Sequence, residues 1–142
     1  MKYKYTLTTR IRGYVEWEIE HYHDNKKQLE ECREQVMPSC TTNYSEAQSS
    51  NHSGTTDTTA KAAIKLATAP YILTLEISTK AIEKTLERCD STDLELLDLV
   101  YWKRTHTITG AGMKTRLSTA GAYNRINNIL VTVALEMGLI NV

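Results

Sequence analysis

Apolar residues recur at intervals of three and four along most of the chain, a spacing that puts them on one side of a helix and on alternating sides of a strand. Ile11, Val15, Ile19, Tyr22, Leu29, Cys32 and Val36 make one such stripe, with Lys26 filling the position between Tyr22 and Leu29. Ile64, Ala67, Tyr71, Leu75, Ser78, Ile82 and Leu86 make a second. Only Tyr3, Tyr5 and Leu7 alternate, which suggests a short extended arm ahead of the first helix. The expected fold class is all-α: long N-terminal amphipathic helices followed by a C-terminal helix-turn-helix bundle. With 142 residues, 41% of them hydrophobic, the chain has room for one compact domain or two small helical units and not for a large multidomain enzyme.

Capping and breaking residues divide these stripes into elements. Thr8 or Thr9 is a suitable cap for a helix reaching about Met37, where Pro38, with no amide proton, stops it. Residues 38–58 are dominated by Ser, Thr, Asn and Gln and read as a flexible linker or loop. A second long helix is expected from about Asp57 to Cys89, kinked or divided at Pro70. Thr92 and Glu95 have the spacing of a capping box that would open a helix reaching Lys103 or Arg104, and two further helices follow at about 107–115 and 119–137. This divides the chain into a helical scaffold or oligomerisation region, 1–89, and a helix-turn-helix domain, 90–142. Long helices with one narrow apolar face must cover it against each other or against another subunit, so a homo-oligomer is expected.

Several chemistries find no footing in the sequence. No run approaches the roughly 18–20 apolar residues of a membrane span, and Met1-Lys2-Tyr3-Lys4 does not lead into the apolar core of a signal peptide, so no membrane partner and a cytoplasmic location are expected. Cys32, Cys40 and Cys89 are odd in number and lack CxxC spacing, which suits reduced thiols better than disulfides or a zinc ribbon. His21 and His23 are two residues apart and would point to different sides of a helix, a poor start for a metal site with Asp24 and Glu20. Gly110-Ala-Gly112 lacks the preceding strand and following Gly-Lys-Ser/Thr of a phosphate loop. Cys32 or Cys89 with His106 is the nearest approach to a thiol nucleophile, and cysteines on apolar helix faces are commonly core residues. The expectation is a protein without catalytic residues, metal or cofactor, in which Trp17 and Trp102 serve as packing groups and Trp102 lies where the two parts meet.

Formal net charge is zero, but its distribution is uneven. Residues 103–142 carry five basic side chains (Lys103, Arg104, Lys114, Arg116, Arg125) against the single acid Glu136, a net +4, while the first 102 residues hold twelve basic and sixteen acidic groups, a net −4. A basic unit on an acidic one is the asymmetry expected when one part meets phosphate. The basic part also has the grammar of a helix-turn-helix: Gly112 is small enough for a tight helix crossing, Leu117 puts an apolar side chain into the turn, and Ser118 is a natural cap for the second helix. That helix would bury Ala122, Ile126, Ile129 or Leu130, and Val133. Its outer face would present Thr119, Ala120, Tyr123, Asn124 and Asn127, with Arg125 and Asn128 at the flanks and Lys114 and Arg116 at the turn. Asn can pair with the edge of adenine, a Thr methyl can touch a thymine methyl, and Arg or Lys can hold phosphate or read guanine.

The order of features resembles the RinA family of phage transcriptional activators. It is carried by Tyr14-Val-Glu-Trp-Glu-Ile-Glu-His-Tyr-His and Lys27-Gln-Leu-Glu-Glu-Cys-Arg-Glu-Gln-Val-Met37, a Ser/Thr-rich gap, and Ala81-Ile-Glu-Lys-Thr-Leu86. A closing module similar to sigma-factor region 4 then runs from near Asp93 through Val100-Tyr-Trp-Lys103 and Leu117-Ser118 to Leu130. The resemblance covers nearly the whole chain and implies activation of late phage genes, such as those for packaging and morphogenesis, by binding double-stranded DNA upstream of them. It places the protein in a bacterial host's cytoplasm with the host RNA polymerase as a possible partner. Carried over by position, Ser118 is the helix cap and Thr119 to Asn124 begin the recognition helix. The sequence departs from the family in the neutral Thr119, Ala120, Gly121 and Asn124, where related proteins often carry charge. Two alternatives combine the same elements differently: a small terminase-like DNA-binding assembly protein, and a helical interaction module that binds no DNA.

Overall fold

A computed structural model of the chain describes residues 5–36 and 54–141. Among them the protein is all-helical, as its periodicity requires, with no strand. The helices are α1 (Thr9–Glu20), α2 (Tyr22–Val36), α3 (Gly54–Glu87), α4 (Ser91–Leu97), α5 (Ile108–Lys114) and α6 (Thr119–Glu136), with a π-helical turn, Asp98–Trp102, continuing α4. Most of the linker expected at 38–58 lies outside the described residues, and its last part, from Gly54, already belongs to α3.

Thr8 caps α1 through its Oγ1, as expected, but the first helix is not continuous. It breaks at His21, whose Nδ1 lies 2.8 Å from the Trp17 carbonyl while the imidazole stacks on the Trp17 ring at 4.2 Å. The His21 N–H still donates to that carbonyl at 3.1 Å, so the imidazole shares the acceptor rather than displacing the ladder bond. Pro70 has the opposite outcome: α3 runs through it as one helix, and the Thr74 hydroxyl donates to the Pro70 carbonyl at 2.9 Å. The fourth helix also starts earlier than the Thr92–Glu95 spacing suggests. Asp90 is its cap, accepting from the Asp93 N–H at 2.8 Å while Asp93 reaches back to the Asp90 N–H, so the capping box is Asp90–Asp93.

Helix α2 returns along α3 in the antiparallel sense, since Lys26 pairs with Glu83 and Arg33, seven residues later, pairs with Glu76, seven residues earlier. Leu75 and Ile82, from the second apolar stripe, are buried within the chain, where α3 meets α2 and α6. That stripe was the reason to expect a second copy, and the chain itself covers this part of it. Leu73 and Ile77, on another side of α3, stay exposed.

Helix α6 is the centre of the fold, packing against α1, α3, α4 and α5. Its Ala122, Ile126, Ile129, Leu130, Val131, Val133 and Ala134 are buried. They join one apolar cluster with Leu7 ahead of α1, Val15, Ile19 and Tyr22 from the first two helices, Ile82 from α3, and Leu96, Leu97, Leu99 and Tyr101 from α4 and the π-helical turn. This cluster draws on residues from both sides of the expected division at residue 89. Trp102 lies at their junction, as expected, donating from Nε1 to the Ile19 carbonyl at 3.0 Å beside the break in the first helix.

The tight crossing expected at Gly112 is present. A methyl group there would come within 2.8 Å of the Ala122 Cβ, whereas one at Gly110 would meet Thr107 Oγ1 at an ordinary 3.5 Å. Gly112→Ala is therefore expected to destabilise the protein by about 1–3 kcal/mol through overpacking. Gly110→Ala should stabilise it by about 0.5–1 kcal/mol through helix propensity and a less flexible unfolded chain. Denaturant unfolding of the two variants checks the contrast, and similar effects of the two would remove the tight-crossing account.

Candidate nucleic-acid interface

Local hydrogen bonds build the helix pair. Thr107 caps α5 by accepting the Gly110 N–H on Oγ1 at 3.2 Å. The helix ends in a Schellman turn, in which the Leu117 N–H donates to the Gly112 carbonyl at 2.8 Å and the Arg116 N–H to that of Met113 at 3.2 Å. Arg116 occupies the left-handed position at φ 62°, where glycine is usual. Leu117 then packs against the core, and Ser118 caps α6 by accepting the Gly121 N–H on Oγ at 3.0 Å.

The residues expected to contact DNA divide into two groups. Thr119, Ala120, Tyr123 and Asn124 are exposed on the first two turns of α6, with Tyr123 at 47%. Lys114 and Arg116 are exposed at the turn, and neither forms an ion pair among the described residues. Met113, beside Lys114 and 73% exposed, belongs to the same surface, though nothing in its spacing marked it out.

The second group is engaged within the chain. Ser118 Oγ is occupied as the cap. Asn127 is half-buried and donates from Nδ2 to the Tyr5 carbonyl at 3.3 Å. Asn128 is half-buried, with its backbone carbonyl accepting from the Thr132 hydroxyl. Arg125, expected at the flank of the DNA-facing surface, instead donates to Asp90 at 2.8 Å and Asp93 at 2.9 Å, the two carboxylates of the α4 capping box. These bonds raise the guanidinium's pKa further. They also hold the Asp90 carboxyl below the usual range, chiefly through the Arg125 hydrogen bond and next through the Asp93 backbone.

The charge asymmetry of the sequence is thus partly neutralised in space. Lys103 pairs with Asp98, and Glu136 accepts Lys84 and Arg88. Arg104, Lys114 and Arg116 remain as exposed cations of the C-terminal part without an ion pair among the described residues.

The other polar residues singled out in the sequence have packing surroundings. His23 sets its ring edge-on to Trp102 at 4.8 Å. His106 Nδ1 meets the Thr105 hydroxyl at 2.8 Å. Burial, and then the charges of Asp93 and Asp90, push the Cys89 thiol up to about 11, which suppresses the thiolate that a nucleophile needs. Cys40 lies outside the described residues.

No family model, no curated protein and no solved structure matches the chain.

The Arg125 bridge makes a prediction about stability. Arg125→Ala should cost about 1 kcal/mol near neutral pH, the scale of a partly exposed ion-pair network that also closes a helix cap. Because the Asp90 carboxyl ionises at lower pH in the folded state than in the unfolded chain, its contribution is complete above the unfolded value near 3.9 and is lost as pH falls through the folded value. Thermal melting should therefore separate the two proteins at pH 7, and the gap should narrow as pH falls below the ordinary carboxylate range. A pH-independent gap would assign the loss to packing of the Arg125 stem.

Proposed function

We propose that the chain binds double-stranded DNA through α5 and α6 and acts as a transcriptional regulator of the phage-activator kind that its residues resemble, with late packaging and morphogenesis genes as targets. One observation carries the DNA-binding part. On its first two turns α6 leaves Thr119, Ala120, Tyr123 and Asn124 uncovered, and Lys114 and Arg116, without an ion pair among the described residues, stand at the preceding turn. A recognition helix contacts bases from its N-terminal turns while basic groups nearby hold the phosphates. In this reading Lys114 and Arg116 position the protein, and Asn124 is the principal reader, suited to the N6 and N7 edge of adenine. Ser118 and Arg125 support the helix from within. The regulatory role and the host polymerase as partner rest on the resemblance alone.

Duplex titrations at several salt concentrations, with a site selected from a random pool and a scrambled control, test the proposal. Lys114→Ala and Arg116→Gly should each weaken binding to both duplexes alike and lower the salt slope by about one unit. Arg116→Gly also relieves the left-handed strain, so its loss of binding cannot be attributed to unfolding. Asn124→Ala should cost about 1–3 kcal/mol on the selected site and much less on the control. A wild-type protein with no affinity for any duplex at low salt would leave α5 and α6 as a helical interaction module.

A further inference from the structure

Each base pair presents its own pattern of donors, acceptors and methyl groups in the major groove, so the side chains of a reading surface restrict the pairs it can read. Guanine is read chiefly by Arg or Lys donors, cytosine by an Asp or Glu carboxylate, adenine by the amide of Asn or Gln, and the thymine methyl by apolar groups. The exposed residues on the first two turns of α6 are Thr119, Ala120, Tyr123 and Asn124, and none of them is charged. Arg125 is the only basic residue of the helix, and its guanidinium is taken by Asp90 at 2.8 Å and Asp93 at 2.9 Å. The only acid, Glu136, ends the helix and pairs with Lys84 and Arg88. What the surface offers a duplex is one free amide, the methyls of Thr119 and Ala120, and the Tyr123 ring.

Spacing keeps these groups together. Residues 119 and 123, 120 and 123, and 120 and 124 are three or four apart and share a side of the helix. Residue 124 is five steps beyond 119, about 7.5 Å along the axis, which matches two to three base pairs at about 3.4 Å each. We propose that the duplex recognised by α6 is A·T-rich: a run of two to three A·T pairs read in the major groove, with Asn124 on one adenine and Thr119 and Ala120 against thymine methyls. The proposal rests on DNA binding through α6 and names the class of sequence bound. A guanine in the run presents two acceptors to Asn124, whose amide brings one donor and one acceptor, and no free Arg or Lys stands on this side of α6 to satisfy them.

Selection from a random pool of duplexes should return sites that share such a run, and anisotropy titrations with modified bases then locate the contacts. Uracil in place of thymine removes only the 5-methyl group and should weaken binding about fourfold for each methyl touched. Ala120→Gly should abolish that penalty at one thymine. Adenine replaced by 7-deazaadenine loses the N7 acceptor, which should weaken wild-type binding by about two- to tenfold at one position and leave Asn124→Ala unaffected, because both changes remove the same contact. Asn124→Arg should move the preferred pair at that position from A·T to G·C. Selected sites with G·C pairs in the run would overturn the inference and leave DNA binding by α6 standing. An A·T run indifferent to both modified bases would place recognition in the minor groove or in duplex shape, and the inference would fall in that case too. Absence of wild-type binding to any duplex would remove the DNA-binding reading together with this one.

Discussion

Burial of the second half of α6 is the constraint on which the other elements depend. Val131, Val133 and Ala134 follow Ile129 and Leu130 with almost no polar interruption, so this stretch of helix has to be covered on most of its circumference. Helices α1, α3, α4 and α5 all pack against α6. Each fully buried aliphatic side chain contributes about 1.5–3 kcal/mol by leaving water, far more than an exposed ion pair. Helix α5 crosses α6 at Ala122 and the start of α4 reaches it at Arg125, so its first two turns are covered on one side and free on the other. The exposed surface on α6 is what remains after the core has been satisfied.

Electrostatics then decide which charges that surface can use. Ion pairs cross the division of charge: Asp90 and Asp93 take Arg125, while Lys84 and Arg88 come to Glu136, the one acid of residues 103–142. Such bridges stabilise little individually, but they remove charges from the field around α6. Lys114 and Arg116 escape this neutralisation because they sit on the short α5 and its turn, and no acidic side chain forms an ion pair with them among the described residues. Charge counted along the chain overstates the basic character of the C-terminal part and misplaces part of it.

Features governed by local chemistry were legible in the sequence. The helical period, the cap at Ser118, the small Gly112 under Ala122 and the apolar Leu117 in the turn all depend on neighbours within about ten residues. The misplaced features depend on competition or on distance. Thr92–Glu95 and Asp90–Asp93 have the same spacing, and the second prevails in a fold that brings Arg125, 35 residues away, to both its carboxylates. The interruption at His21, where the imidazole shares the Trp17 carbonyl with the backbone N–H, is a change that periodicity does not register. Pro70 forfeits one backbone bond, a local cost that a 34-residue helix with tertiary cover absorbs. Asn127 carries the right side chain for reading adenine and the right position on α6, and only its contact with Tyr5, 122 residues distant, shows it to be occupied.

The first helix and the uncovered surface of α6 are connected through the same junction. Where the ladder of the first helix is interrupted, the carbonyls of its last turn need other partners, and Trp102 takes that of Ile19. Tyr101, the residue before it, donates to Glu16 at 3.0 Å. These two bonds fix the π-helical turn to α1, and α1 lies directly against α6. The start of α1, with Leu7 and Tyr5 ahead of it, is thereby held in register with the outer face of α6. A helix pair cut free at residue 90 would lose the contacts of α1 and α3 with α6, and with them Tyr5, whose carbonyl occupies Asn127 at the end of the uncovered surface. The N-terminal helices do more than carry the last two, because they define how much of α6 stays uncovered.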